Sequence, residues 1–550
     1  MQCCAVLKSK SLLTIPIALA LGLTLAGPTA VADDDFGGPG LTLDATSSKA
    51  DAAADTLDEV QAILDGDAVG RGGRTTDGRS LTVALRDLKR DMKYLKGEDN
   101  KQAQRFLMRP GEGGDPYIPG ALPWSTCGPQ ICVHYTESGA NAPDGSDGVQ
   151  GTIPQYVTDV LNTIEQINTD YIAAGYRTPE RDGALGGSNN KVDIYLGDIG
   201  PQGLYGFCTS DDPHDPFDES DPGYQDFSFW AYCALDNDYD SSEFPTNTPF
   251  ENMQVTAAHE FFHAVQYAYD AYEDGWIIES TATWVEDEMF DDVNDNRNYL
   301  GTGPLAFPNV PIDYYGSGDP EELSGFHYGT WIWWRYLTEK FPAKTGKLPK
   351  LVLDVWKRLD AANGAGPDRY STQGLADVLK NRGTNISAEI IKFQVGNRRA
   401  KSFYDEGNAY TPAPAAAIIG LAANRAAYAE GPINHMASAT ARFNPKNLSQ
   451  KAWKLRLTFD LPPKARGAAA VVVVYRKNGK IDQTTVKLDK KGNATKTVPF
   501  SSKTVKGVDA VLVNTSTRFT CWASNESPYS CFGNPKDDGL KYKVTGRTVK

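Results

Sequence analysis

A long helix with strong boundary signals is predicted over residues 249–272. Thr248 supplies an N-cap hydroxyl, Pro249 suits the first helical position, and Glu251 can close a capping box. Apolar residues and alanines follow, and an Asp-Gly pair at 274–275 ends the segment. Residues four positions apart within this helix therefore share one face.

Two of the chain's six histidines fall within this helix, in the sequence HEFFH. His259 and His263 lie one turn apart, so their imidazoles can converge on one ion, as tetrahedral zinc requires. Glu260 projects from the neighbouring strip, where it can reach a water on the metal without binding the metal itself. This pattern arises by chance in roughly one chain in a few hundred of this composition.

The third ligand of such a site has to come from a nearby element, and GWIIESTATWVEDEMF is a second helical segment. Fifteen residues separate His263 from Glu279, enough for the chain to turn and return antiparallel. Glu286 lies seven positions further along the same face, so geometry alone does not exclude it. Glu279 is favoured because it lies in the apolar part of the helix, whereas Glu286 begins an acidic run typical of a solvated face.

The HEFFH sequence followed by WIIESTATWVE resembles the glutamate zincins, metallopeptidases with an HExxH helix and a glutamate ligand on the next helix. It is most similar to a group of secreted bacterial metallopeptidases defined by HEFFHA-x-Q and ATW-x-E sequences. The resemblance extends over about residues 125–345. It implies a zincin-like domain, with His259, His263 and Glu279 as zinc ligands and Glu260 as general base and acid in peptide hydrolysis.

Two departures from the family pattern stand out. The gap between the second histidine and the third ligand is shorter than in the best-known members. Thr283 also occupies the position where many relatives carry an acidic residue that orients a ligand histidine, so such support has to come from elsewhere. Further along, SGFHYGTWIWWRYL resembles a helix start that supplies an oxyanion donor in related aminopeptidases. This implies Tyr328, or alternatively His327, in that role.

The N-terminus predicts export. Lys8 and Lys10 precede an apolar run over 11–25, and small residues at 30–32 form a cleavage site, so residues 1–32 are interpreted as a signal peptide. Six cysteines then remain, which favours disulfides between sequence neighbours. The predicted pairs are Cys127–Cys132, Cys208–Cys233 and Cys521–Cys531.

The predicted fold class is α+β, with a zincin-like catalytic domain over 119–410 and an all-β sandwich over 431–550. A Pro/Ala-rich start predicts a linker over 411–430, and the short strands after it predict the sandwich. Residues 33–118 are interpreted as either a removable pro-segment or a flexible arm with an exposed, charge-rich helix. KVDIYLGDIGPQGLYGF is predicted to edge the cleft, and the acidic segment after it to form a loop.

The net charge of −15 argues against nucleic-acid binding, and no later apolar stretch is long enough to cross a membrane. One catalytic Zn²⁺ is expected. Ca²⁺ is a weaker possibility at the acidic stretches LDNDYD and DDPHDPFDESD. The expected function is a secreted zinc endopeptidase acting on proteins or peptides. The sandwich is expected to bind carbohydrate such as a polysaccharide, anchor the protein to a cell surface or help folding, and its sequence does not decide among these roles. The alternatives are an inactive zincin-fold binding protein and a zinc hydrolase of non-peptide amides.

Overall fold

The computed structural model describes residues 20–23, 48–65, 81–149, 151–187, 190–316, 323–523 and 527–550. Most of the predicted signal peptide lies outside these ranges. Its one described part is the backbone of strand β1 (Ala20–Leu23), which pairs antiparallel with residues 427–430. Among the helices described, none combines the length and apolar content needed to cross a bilayer.

The described parts of the N-terminal region (48–65 and 81–118) form packed helices, and the prediction of an exposed helix is wrong. Its helices are α1 (Lys49–Leu64), α2 (Leu81–Asp91) and α3 (Gly97–Phe106). Leu81, Leu85 and Leu88 of α2 are buried in a cluster with Phe207 and Tyr232 of the following domain. The apolar faces of these three described helices are covered by tertiary contacts. The two interpretations of residues 33–118, a pro-segment and a flexible arm, both stay predictions.

The central domain is built on a five-stranded sheet in the order β2-β3-β4-β6-β5. Strand β3 pairs parallel with β4 and β4 with β6, whereas β2 and β5 pair antiparallel at the two edges. The strands are β2 (Trp124–Cys127), β3 (Ile131–Tyr135), β4 (Val192–Gly197), β5 (Gly206–Thr209) and β6 (Tyr232–Asp236).

Helices cover this sheet and continue beyond it. The long helices near the sheet are α4 (Gln155–Ala174), α5 (Pro249–Asp270) and α6 (Gly275–Met289). After them come α7 (Phe326–Gly329), α8 (Trp331–Lys340), the short strands β7 (Lys344–Thr345) and β8 (Leu348–Pro349), α9 (Lys350–Trp356), α10 (Ser371–Asn381) and α11 (Ile386–Asn397). The chain is therefore mixed α+β, as predicted.

The edge of the sheet differs from the prediction. Strand β4, which begins the predicted edge segment, lies between β3 and β6 and is central. The edge strand is β5. It consists of the first four residues of the segment predicted to be an acidic loop. Its burial on both faces and its disulfide to β6 stabilise so short a strand. All three predicted disulfides, including Cys208–Cys233 between these strands, are confirmed.

The C-terminal region consists of two five-stranded sheets around one apolar core. Their orders are β1-β10-β19-β12-β15 and β14-β13-β16-β11-β9. The strands are β9 (Ala417–Leu421), β10 (Ala426–Ile433), β11 (Ala437–Pro445), β12 (Lys454–Asp460), β13 (Ala468–Arg476), β14 (Ile481–Thr485), β15 (Asn493–Pro499), β16 (Val505–Asn514) and β19 (Leu540–Val549), with a separate pair β17 (Phe519–Thr520) and β18 (Asn534–Pro535).

The predicted linker is placed wrongly, because β9 and part of β10 lie within 411–430. Residues 417–421 alternate between buried and exposed, as expected for a strand with one covered face. The valine run of β13 is buried on both sides. Val472 and Val474 face the core of the C-terminal sandwich. Val471 and Val473 face the other way and join the core of the central domain. The two domains therefore share a continuous apolar interface.

A buried ion pair also joins the two domains. His435 of the sandwich is hydrogen-bonded through Nε2 to Asp313 Oδ1 at 2.8 Å and through Nδ1 to Asp538 Oδ1 at 2.7 Å. Ser530 Oγ donates to the other oxygen of Asp313 at 2.7 Å. Burial opposes the charge on His435, but Asp313 and Asp538 outweigh it and raise the histidine pKa to about 10.

Replacing His435 with alanine leaves Asp313 buried without its cation, which we expect to reduce the unfolding free energy by about 3 kcal/mol. A raised pKa stabilises the fold fully below the ordinary histidine pKa of 6.5, and this contribution is lost as pH rises through about 10. The melting-temperature difference between wild type and H435A should therefore shrink between pH 6 and pH 10. Parallel melting curves across that range would contradict this assignment.

Candidate metal centre

Helix α5 carries both histidines of the predicted site. The predicted capping box is present: Thr248 accepts a hydrogen bond from the Glu251 amide, and the Glu251 side chain accepts one from the Thr248 amide. This local cap sets where the helix begins. His259 and His263 are both buried, and their ring centroids lie 4.8 Å apart at an interplanar angle of 79°.

Helix α6 brings a carboxylate to both imidazoles. Glu279 Oε2 lies 3.3 Å from His259 Nε2 and 3.7 Å from His263 Nε2. In a tetrahedral zinc site with bonds of about 2.0–2.1 Å, adjacent ligand atoms are about 3.3 Å apart. Glu260 Oε2 is further away, at 3.9 Å from His263 Nε2. The Glu279 oxygen therefore lies at distances from both imidazoles that suit ligands of one metal ion.

Two further observations fit a metal ion. His263 Nε2 and Glu279 Oε1 are buried and have no hydrogen-bond partner in the described part of the chain. Leaving such polar atoms unpaired costs free energy unless a ligand compensates. One ligand atom from each of His259, Glu260 and His263 also falls in a group whose members all lie within 4.8 Å of one another. This group could hold a metal ion.

Each histidine is oriented by an outer partner. His259 Nδ1 donates to Glu286 Oε1 at 2.6 Å, and His263 Nδ1 donates to Gln266 Oε1 at 2.8 Å. Gln266 is itself held by donating to the Ile278 carbonyl at 2.9 Å. These bonds turn both Nε2 atoms towards Glu279, as is usual for metal-binding histidines.

Sequence reasoning missed both orienting residues. The sequence pattern suggests Glu286 only as an alternative ligand or as part of a solvated face, yet it is buried and supplies the support that Thr283 lacks. Thr283 instead donates to the Glu279 carbonyl at 3.0 Å. Sequence spacing could have identified both residues. Glu286 lies two helical turns beyond Glu279, and Gln266 lies three residues beyond His263, so each shares a helix face with a site residue.

The buried environment shifts the pKa values of the site residues in different directions. Burial raises the pKa of Glu260 to about 8 and lowers that of His263 to about 4. For His259, burial opposes protonation, but hydrogen bonds with Glu279 and Glu286 raise the pKa to about 10. A neutral His263 is the form that binds metal, and a carboxyl that titrates near 8 suits proton transfer near neutral pH.

A small cavity opens beside these residues. His259, Glu260, Tyr205, Tyr299 and Tyr328 line it. The Tyr328 ring lies 6.0 Å from the His259 ring. His327 is also buried, with its ring 4.5 Å from that of Tyr315 and 4.4 Å from that of Tyr328. Of the two predicted oxyanion donors, Tyr328 is the one that lines this cavity.

Strand β5 and helix α2 enclose Glu260 from the other side. A Cβ at Gly206 of β5 would lie 2.9 Å from Glu260 Cγ, so glycine allows this close approach. Thr82 of α2 accepts a hydrogen bond from the Cys208 amide at 3.0 Å and donates to Glu260 Oε2 at 3.4 Å. Helix α2 therefore contacts both the edge strand and the candidate general base.

The acidic stretches considered for Ca²⁺ are largely used within the protein. The carboxylate of Asp236 accepts hydrogen bonds from the amides of residues 199, 200, 238 and 239. Asp198, Asp236 and Glu243 form a group with ligand atoms close enough for an ion. Because Asp236 is already engaged, this group offers little additional binding capacity, and Ca²⁺ binding stays a prediction.

Comparison with known proteins does not assign the chain to a family. No family model matches it, and no curated protein matches it. Among solved structures it is similar to a family GH115 4-O-methyl-α-glucuronidase with specificity for decorated arabinogalactans, at 12% identity and a TM-score of 0.13. That alignment covers 55% of this chain and 38% of the other, and its TM-score is too low to indicate a shared fold.

Metal binding can be tested without an activity assay. We expect purified wild type to hold one zinc ion and the H259A and E279A variants to lose it. E286Q and Q266A should keep the metal with an affinity about 10–100-fold lower, because they only release a ligand histidine. Chelator competition followed by metal analysis measures this, with E219Q on an exposed loop as the control. Equal affinities for all variants would contradict the site.

Proposed function

We propose that this protein is a secreted zinc-dependent metallopeptidase. The observation that carries the proposal is the convergence of Glu279 with both imidazole Nε2 atoms, at 3.3 and 3.7 Å, while Glu260 lines the adjoining cavity. His259, His263 and Glu279 would be the metal ligands. The three disulfides support export, because such bonds persist in oxidising compartments.

Glu260 would act as the general base and acid. A bound zinc ion would polarise the scissile carbonyl and lower the pKa of a water molecule to about 7. Glu260 would take a proton from the attacking water and later deliver it to the leaving amine. Its pKa of about 8, raised by burial, is in a range that permits both transfers. Glu286 and Gln266 would keep the two histidines in position.

The surroundings suit an extended peptide. Strand β5 is an antiparallel edge strand next to Glu260, and an edge strand can pair with a substrate backbone. Helix α2 lies over strand β5, and the Thr82 hydroxyl accepts a hydrogen bond from the Cys208 amide. This contact favours the interpretation of residues 33–118 as a pro-segment that covers the cleft until it is removed.

The proposed chemistry depends on the Glu260 carboxylate. We expect E260Q to retain zinc and lose peptide cleavage, because the amide cannot accept the proton. Wild type, E260Q and the exposed-loop control E219Q would be incubated with a complex peptide mixture, and new N-termini would be sequenced by mass spectrometry. Termini near residue 118 of the protein itself would support the pro-segment.

If folded, zinc-loaded wild type and E260Q produce the same set of new N-termini, the peptidase proposal is contradicted. That result would favour an inactive zincin-fold binding protein. Glu260-dependent hydrolysis of only non-peptide amides would favour the other alternative.

The oxyanion donor can be identified by a pair of variants. We expect Y328F to lower kcat by about 100-fold with little change in KM, because a hydroxyl that acts mainly in the transition state is removed. H327A should have a smaller effect, since Tyr328 rather than His327 lines the cavity. A larger loss of kcat in H327A would reverse this assignment.

A further inference from the structure

A cavity opens in the sandwich beside the hairpin that joins β13 and β14. Its volume is about 560 Å³, which is within the size range of ligand pockets. Asp482 is the one carboxylate among the described residues that line it, and four basic residues surround it: Arg476, Lys477, Lys480 and Lys503. The cavity therefore has an excess of three positive charges, although the chain as a whole has a net charge of −15.

Backbone hydrogen bonds hold the basic residues around the cavity. The Arg476 amide donates to the Lys480 carbonyl at 2.8 Å and closes the hairpin, whose turn contains Gly479 at a φ of 87°. The Lys477 amide donates to the Thr504 carbonyl at 3.0 Å, which ties the hairpin to the turn before β16. The positive charges thus come from two turns whose relative position is fixed by the backbone.

Only part of this positive charge is neutralised within the protein. Arg476 Nε donates to Asp482 Oδ2 at 2.7 Å, and Lys480 Nζ lies 3.6 Å from Asp482 Oδ1. Lys477 and Lys503 are exposed and form no ion pair with any residue that the structure describes. Like charges around one cavity repel each other, and an anion bound among them relieves this repulsion.

The remaining side chains of the lining narrow the class of anion. Asn478 offers both a donor and an acceptor, and so does the Thr504 hydroxyl. The Asp482 carboxylate accepts hydrogen bonds from hydroxyl groups but repels a densely charged phosphate chain. A sugar polymer with one carboxylate per unit has widely spaced negative charges and many hydroxyl groups. The mixed lining therefore suits an acidic polysaccharide.

The same lining favours a polysaccharide over two other anionic partners. The described residues around the cavity are all charged or polar. Attachment to a lipid bilayer uses apolar side chains that insert among the lipids, in addition to basic residues. Binding of single-stranded nucleic acid uses aromatic rings on which the bases stack. Hydrogen-bonding side chains interspersed with lysines match the groups that an acidic sugar presents.

We infer that this cavity is a binding site for an acidic polysaccharide. Lys477 and Lys503 contact the carboxylates of the sugar, and Asn478 and Thr504 bond to its hydroxyl groups. Asp482 keeps the Arg476 guanidinium in place at the wall of the cavity. The inference goes beyond the proposed peptidase function and does not depend on it, because the site lies in the sandwich and involves none of the candidate metal ligands.

The test measures binding of the full-length chain to polygalacturonate and to alginate by affinity electrophoresis. K477Q/K503Q should weaken binding by about tenfold, because two exposed charge contacts are lost, whereas K477R/K503R should retain it. K451Q/K454Q removes the same charge from another exposed part of the sandwich and should bind like wild type. Wild-type binding should weaken as NaCl is added, and neutral dextran should not bind. All variants should keep the wild-type melting temperature.

Several results would overturn the inference. Failure of wild type to bind either polyuronate would remove the site. Equal weakening by K477Q/K503Q and K451Q/K454Q would show that binding depends on overall charge and not on this cavity. Tighter binding of inorganic polyphosphate than of both polyuronates would assign the cavity to phosphate. Binding to phosphatidylglycerol vesicles without binding to either polyuronate would assign it to a membrane surface.

Discussion

The packing of helix α6 against helix α5 is the contact on which the candidate site depends. It brings Glu279 to the two imidazoles and Glu286 to the outer nitrogen of His259. It also lets Gln266 reach the backbone of α6 while holding His263. These side chains therefore either face the proposed metal or orient a histidine that does. Because the pair is buried, any carboxylate left without a partner would be costly, which favours a bound cation.

Helix α2 connects the N-terminal region to this centre. Its leucines pack into a cluster with Phe207 of β5, and its Thr82 bridges the edge strand and Glu260. Arg86 extends the same face to the end of α5, where it donates to the Glu273 carbonyl. One helix therefore contacts the edge strand, the candidate general base and the end of α5.

The sandwich has a structural connection to the same region. The outer face of β13 joins the core of the helical domain through Val471 and Val473. His435 pairs with Asp313, and the Cys531 amide donates to Asp274 at 2.9 Å. Asp274 is the residue directly before α6. The sandwich thus contacts the connection between α5 and α6 directly.

Local signals in the sequence were sufficient for several features. The capping box sets the start of α5, the HEFFH spacing puts two histidines on one face, and the short separation of each cysteine pair favours its disulfide. The valine-rich strands of the sandwich follow from their composition. All these features depend on residues close together in the chain, where helix period, turn geometry and loop closure decide the outcome.

Only the tertiary structure decided the role of Glu286, the position of β5 at the sheet edge and the burial of α2. Their environments depend on partners that neither periodicity nor propensity can identify. Glu286 begins an acidic run that is typical of an exposed face, and it is buried because His259, 27 residues away, donates to it. Thr82 and Glu260 are 178 residues apart and meet only because the sheet and α5 form a surface that α2 can cover. Sequence by itself determined which residues could do chemistry, and packing determined which of them meet.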